Sequence, residues 1–261
     1  MKSTLTRGAP ARTPRIMQFP VPALDRLAIL LDVDGTILDL APTPSQVEVP
    51  EGLRSTLTKL LARTNGALAL VSGRPLADID RIFAPLRLPA IGGHGAEIRR
   101  TPDSPPTHPP LSIGTQLKEE LIAAASDGVL VEDKGYSIAL HYRQVPESGD
   151  TLQQAVAAIV ARHPDSGVEI LRGKRVIEVK PARFTKGSGI RNLMNDPPFH
   201  GRTPFFVGDD VTDEAAFAVL PQFAGTGYSV GRPFKGVAGV FEDAVAVRDW
   251  LDRLLDGAPV P

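Results

Sequence analysis

The chain has 261 residues, 29 Lys and Arg against 30 Asp and Glu, a formal net charge of −1 and no cysteine. Near-neutrality argues against a polyanion-binding surface and so against a nucleic-acid partner. The lack of Cys excludes disulfides, zinc–thiolate sites, iron–sulfur clusters and thiol nucleophiles, and fits a cytoplasmic protein.

At this length a sizeable hydrophobic core is expected, in one large domain or two modest ones. Residues 1–24 read as a flexible, proline-rich tail, and "RGAPARTPR" within it lacks the continuous apolar segment of a secretory signal. No later run approaches the ~20 apolar residues of a membrane helix. "RLAILLDVDG" is a short apolar run ended by Gly35, the pattern of a strand buried on both faces. "EGLRSTLTKLLAR" carries Leu53, Leu57, Leu60 and Leu61 at helical spacing. "GALALVSGRP" predicts a second buried strand closed by Gly73, with Pro75 opening a helix through "LADIDRIFA". "PAIGGHGAEIR" reads as a third strand interrupted by glycines. This alternation predicts right-handed crossovers and a parallel sheet with helices on both sides. "TPDSPPTHPP", residues 101–110, suits neither a helix nor a central strand and reads as a linker.

Beyond the linker the pattern changes. A helix at about 116–125 precedes "VLVEDKGYSIALHYR", which alternates with period two around a turn at Gly135. A helix at about 152–161 follows, then a second hairpin, "VEILRGKRVIEVK", with Gly173 and Lys174 as its two-residue turn. After Pro181 the first style returns. "TKGSGIRNLM" starts a helix, "TPFFVGDD" is a buried strand, "TDEAAFAVL" a helix, "TGYSVG" and "VAGVF" short strands, and "AVAVRDWLDRLL" a closing amphipathic helix. The predicted fold class is α/β. A Rossmann-like parallel-sheet core domain, 25–108 and 182–261, holds an inserted α+β cap domain, 109–181, of helix–hairpin–helix–hairpin order.

In open α/β sheets ligands bind beyond the carboxyl ends of the strands. Apolar runs lead into Asp32-Val33-Asp34-Gly35-Thr36, Ser72-Gly73-Arg74 and Gly208-Asp209-Asp210, so a parallel sheet carries all three to one rim. Lys186-Gly187 has to join them from a helix start. Asp32, Asp34 and Asp209 would repel one another there, and the simplest remedy is a hard divalent cation, Mg2+, which takes oxygen ligands and substrate phosphate. With it, an ionised carboxylate can approach a phosphate dianion. Lys186, the hydroxyls of Ser72 and Thr36 and the amide of Gly73, with Arg74 beside them, are then placed to bind substrate. One carboxylate attacks phosphorus and the other moves the proton.

In the second unit the pleat puts Tyr136, Ile138, Leu140 and Tyr142 on one face and Ser137, Ala139, His141 and Arg143 on the other. A four-stranded sheet would bury the apolar face under its two helices. The opposite face would gather Glu132, Lys134, His141, Arg143, Glu178 and Lys180. That face is either a solvated surface or a lid over the site. Its mixed acids and bases suit a neutral polyol, and a lid would exclude water from phosphoryl transfer.

These residues resemble, in their usual order, the four motifs of the haloacid dehalogenase superfamily. The resemblance implies that Asp32 is the nucleophile, that Asp34 is the general acid/base with a backbone carbonyl on the metal, and that Ser72 and Lys186 belong to the second and third motifs. It makes Asp209 the metal ligand of the fourth, supported by Asp210 and Asp213. "VEDKGYSIALHYR", "VIEVKPARFTKG", "GDDVTDEAAF" and "IGGHGAEIR" more specifically resemble the trehalose-6-phosphate phosphatase family, over about residues 25–255. This implies Mg2+-dependent hydrolysis of trehalose 6-phosphate through an aspartyl-phosphate, with Glu132, Lys134, Arg143, Glu178, His141 and Lys180 contacting the sugar. "ARFTKGSG" departs from the family's more usual approach to the lysine. A phosphatase of another sugar phosphate, such as sucrose 6-phosphate, and a non-catalytic sugar-phosphate sensor stay open as alternatives. The expected partner is the small-molecule substrate alone, with no membrane and a monomeric chain.

Overall fold

The structure, a computed structural model, describes residues 23–41, 46–107, 113–173 and 175–257. The predicted tail falls almost wholly outside these residues, as do the end of the predicted linker, the start of the insertion at 109 and Lys174.

The chain first lays down β1 (Leu27–Asp32), α1 (Leu53–Arg63), β2 (Leu68–Val71) and α2 (Leu76–Phe83), as the apolar spacing predicts. "PAIGGHGAEIR" departs from the expected single strand. It forms β3 (Ala90–Gly92) and β4 (Glu97–Arg99), paired antiparallel. The reversal is made by Gly93, His94 and Gly95, whose φ angles of 55°, 55° and 105° turn the backbone through the left-handed region that glycine tolerates.

A separate unit follows: α3 (Thr115–Ala123), β5 (Leu130–Asp133), β6 (Ile138–His141), α4 (Gly149–Ala161), β7 (Val168–Gly173) and β8 (Val176–Pro181). Its four strands lie in the order β5-β6-β8-β7, all antiparallel. Gly173 is the last paired residue of β7, opposite Val176, so the turn sits one residue later than predicted. Leu117 and Leu121 of α3 and Leu152, Val156 and Ile159 of α4 cover Ile138, Leu140, Ile177 and Val179 in one apolar cluster. The other face of the sheet is left to polar residues, and it turns towards the rest of the chain.

The chain then returns through α5 (Lys186–Leu193), β9 (Thr203–Gly208), α6 (Glu214–Val219), β10 (Thr226–Val230), β11 (Gly239–Phe241) and α7 (Ala244–Leu255). The main sheet runs β11-β10-β9-β1-β2-β3-β4, parallel except at its β4 edge. The pleat of β1 shows why both faces are buried. Leu27, Ile29 and Leu31 join the cluster built with α1, α2 and α7, while Ala28 and Leu30 join the cluster built with α5 and α6. Phe205 of β9 stacks on Trp250 of α7, ring centroids 4.7 Å apart, fixing the closing helix to the sheet. No helix among the described residues is long and apolar enough to cross a membrane.

Candidate active site

β1 is central, and its neighbours bring the chemistry to it. On one side Leu31 pairs with Val207 of β9; on the other Asp32 pairs with Val71 of β2. All three strands point the same way, so Asp32, Ser72 and Asp209 leave the sheet at one rim. Gly35 makes the close approach possible. Its φ is +81°, and a Cβ there would lie 2.2 Å from Asp209 Oδ2.

Lys186 reaches the same point from α5. Thr185 caps that helix, its Oγ1 accepting from the Ser188 amide at 3.0 Å, and this fixes Lys186 as the first helical residue. The lysine Nζ donates to Asp32 Oδ1 and to Asp213 Oδ1, each at 2.7 Å. Burial works against its charge, but Asp32 and then Asp213 outweigh that and the pKa is raised. The second Asp213 oxygen accepts from the Asp210 amide at 3.0 Å. Thr36 Oγ1 donates to Asp32 Oδ2 at 2.9 Å. Arg74 grips Asp34 with a fork, Nε to Oδ2 at 2.6 Å and Nη2 to Oδ1 at 2.7 Å.

Asp32, Asp209 and Asp213 each present a carboxylate oxygen within 4.8 Å of the others. Burial, with repulsion from Asp32, pushes Asp209 up to about 8 and Asp213 up to about 6. Three crowded carboxylates with one lysine among them are short of positive charge. An all-oxygen donor set with a surplus of negative charge fits a hard divalent cation such as Mg2+.

The facing wall comes from the four-stranded unit. His141 Nε2 and Glu132 Oε2 share a hydrogen bond at 2.9 Å, which, against the effect of burial, holds the Glu132 carboxyl below its usual range. Lys134 Nζ donates to Glu178 Oε2 at 3.1 Å, and Ser137 Oγ to Glu178 Oε1 at 2.6 Å. Between the walls lies a cleft of about 370 Å³.

Of the residues predicted from sequence, Asp32, Asp34, Ser72, Gly73, Arg74, Lys186, Asp209 and Asp210 line the cleft from the core side, and Glu132, Lys134 and His141 from the other. The rest lie elsewhere. Thr36 is fully buried and turned onto Asp32 rather than into the cleft. Asp213 is fully buried behind Lys186, and Glu178 is buried behind Lys134. Lys180, expected on the sugar, is 1% exposed and donates to Glu169 Oε1 at 2.5 Å and to the Phe184 carbonyl. Arg143 is exposed beyond the end of β6, outside the lining of the cleft. The cleft also takes Asp78, His94 and Thr212, which the sequence reading missed. Only His94 carried a signal, a polar ring between two glycines at a strand end.

The chain also resembles known proteins in sequence and fold. Residues 30–239 match the family model described as trehalose-phosphatase. A probable trehalose-phosphate phosphatase of Sinorhizobium fredii is 43% identical over 215 residues, 80% of each chain. The trehalose-6-phosphate phosphatase of Escherichia coli is 35% identical over 232 residues, 88% of this chain and 86% of that one. A solved trehalose-6-phosphate phosphatase related protein, 26% identical, superposes with a TM-score of 0.70 over 88% of this chain and 97% of its own. The C-terminal domain of the Candida albicans trehalose-6-phosphate phosphatase shares the fold, with a TM-score of 0.74 at 19% identity over 89% of this chain and 92% of its own. By these matches the chain belongs to the trehalose-phosphatase family.

Proposed function

We propose that the protein is a Mg2+-dependent phosphoric monoester hydrolase that converts trehalose 6-phosphate into trehalose and phosphate, a step of trehalose biosynthesis. The observation that carries the reading is the meeting of Asp32, Lys186 and Asp209 at one rim, opposite a polar wall bearing Glu132, Lys134 and His141, in a chain of this family. In this reading residues 25–108 and 182–261 are the catalytic core, and 109–181 are a cap that selects the sugar. The enzyme works in the cytoplasm, as a monomer.

Asp32 and Asp209 are the residues that would hold Mg2+, with Asp34 contributing its backbone carbonyl and Asp210 and Asp213 supporting them. Bound there, the cation offsets the charge that otherwise keeps a carboxylate and a phosphate dianion apart. Asp32 attacks phosphorus, and the bond from phosphorus to O6 of the sugar breaks. Asp34 gives its proton to the departing O6, so one Asp34 oxygen must first leave the Arg74 fork. The products of this half are an aspartyl-phosphate and the free sugar. Asp34 then takes a proton from water, whose oxygen attacks phosphorus, releasing phosphate and restoring Asp32. Lys186 stays charged throughout and balances Asp32. Ser72 and the Gly73 amide hold phosphate oxygens, while Asp213 positions Lys186 and Thr36 positions Asp32.

A panel of sugar phosphates, scored by phosphate released with and without Mg2+, tests this. Trehalose 6-phosphate should be preferred, and EDTA should stop turnover until Mg2+ is restored. A preference for sucrose 6-phosphate would overturn the substrate. Binding without release would favour a sensor.

A further inference from the structure

The turn between β3 and β4 is tied to the loop that carries Ser72. The His94 amide donates to the Ser72 carbonyl at 3.1 Å, and the Gly93 amide to the Arg74 carbonyl at 2.9 Å. The imidazole lies across Gly73, where a Cβ would stand 2.4 Å from Cε1 and 2.5 Å from Nε2. The ring also borders two cavities, the catalytic cleft and a smaller one of about 200 Å³ that shares Lys186 and Thr212 with it. Glu178 and Lys180 of β8, Lys134 beyond β5 and Lys186 are near enough to act on its charge.

Among the described residues this ring makes no side-chain hydrogen bond or ion pair. Burial holds it neutral, with a pKa pushed down to about 4. Glu178 opposes this, while Lys186, Lys180 and Lys134 add to it. A neutral imidazole has one N–H donor and one bare nitrogen acceptor. The ring is partly exposed on the cleft, and neither nitrogen is a buried atom left without a partner, so water or a group entering the cleft can take both. A phosphate dianion offers acceptors only and can satisfy just the N–H. A hydroxyl carries one donor and an acceptor lone pair, so it can serve either nitrogen.

We propose that His94 is a specificity-determining residue that hydrogen-bonds a hydroxyl of the sugar in the catalytic cleft. The proposal rests on the reading of the site as a sugar-phosphate phosphatase. Because the same turn holds the carbonyls of Ser72 and Arg74, a sugar docked on His94 is positioned relative to the loop that takes the phosphate.

Two variants test it. His94→Phe keeps a flat ring over Gly73 and deletes both polar atoms. His94→Asn keeps a donor and an acceptor and accepts left-handed backbone. Each is assayed on trehalose 6-phosphate and on p-nitrophenyl phosphate, an ester without sugar hydroxyls, with melting curves as a folding control. We expect His94→Phe to lose about tenfold in kcat/KM on the sugar phosphate, mostly as a higher KM, the equivalent of about 1.4 kcal/mol. On the aryl ester the loss should stay below about threefold. Equal losses on both esters would make the ring a packing element of the Ser72 loop and overturn the proposal, as would no loss on either. If His94→Phe fails to fold, the ratio of losses for His94→Asn decides by the same criterion. Unsubstituted protein that cleaves the aryl ester but no sugar phosphate would instead overturn the functional reading, and the two failures are thereby told apart.

Discussion

Lys186 and Asp32 on the core wall leave 4% and 5% of their side chains exposed, whereas His141 and Glu132 on the facing wall leave 34% and 40%. At this pair the core wall is nearly dry, and it stands on strand ends locked by parallel register. The other wall stands on a hairpin and is wet at its outer pair. An ion pair in the first setting is expensive to break, because removing one partner strands a buried charge. A pair in the second contributes little, since water replaces either partner. In the proposed reading, chemistry that tolerates no misplacement sits on the first wall, and contacts that only need to recognise hydroxyls sit on the second.

The largest effect should come from the core wall. Asp32→Asn should lower kcat by at least ~10⁴-fold while calorimetry still detects sugar-phosphate binding. Turnover that survives would mean the nucleophile is another residue. Lys186→Met should cost about 3–5 kcal/mol in urea unfolding without metal, because Asp32 and Asp213 lose their common cation. Added Mg2+ should recover part of the loss. A mild Lys186 phenotype would erase the contrast between the walls.

Acid should lower the unfolding free energy by about 3 kcal/mol through His94. His94 falls from an ordinary 6.5 to about 4 on folding. The unfolded chain therefore binds the proton first. The contribution is complete above pH 6.5 and is lost as pH falls towards 4. Over that window the unsubstituted protein should lose about 3 kcal/mol of unfolding free energy relative to His94→Asn, which does not titrate there. Parallel pH curves would show that the ring does not titrate in this way.

On the facing wall, Lys134→Ala should raise KM by about tenfold with little change in kcat, since Glu178 keeps only Ser137 as a partner but no reacting atom moves. The smallest effect belongs to the half-exposed pair: His141→Ala should shift stability by no more than ~1 kcal/mol. A loss as large as that of Lys186→Met would show that the two walls are equally rigid.

Much of this molecule is legible in its sequence because the periodicities are local. The all-buried run of β1 needs only its own composition to predict a strand covered twice. The alternation of Ile138 and Leu140 with Ala139 and His141 needs only the pleat to assign their faces. The parallel sheet then puts Asp32, Ser72 and Asp209 at one rim without any coordinate. What tertiary structure decided was partnership. Asp32 and Lys186 are 154 residues apart, and Arg74 and Asp34 are 40 apart. No local pattern states that Arg74 holds Asp34, that Asp213 spends its oxygens on Lys186 and the Asp210 amide, or that Lys180 turns to Glu169. The split of "PAIGGHGAEIR" into two antiparallel strands escaped for a related reason. His94 adopts a left-handed conformation uncommon outside glycine, and the turn is tied to the distant Ser72 and Arg74 carbonyls. Periodicity constrains which face a side chain occupies. Which atom it meets there depends on how distant segments pack, and on the charge each one brings.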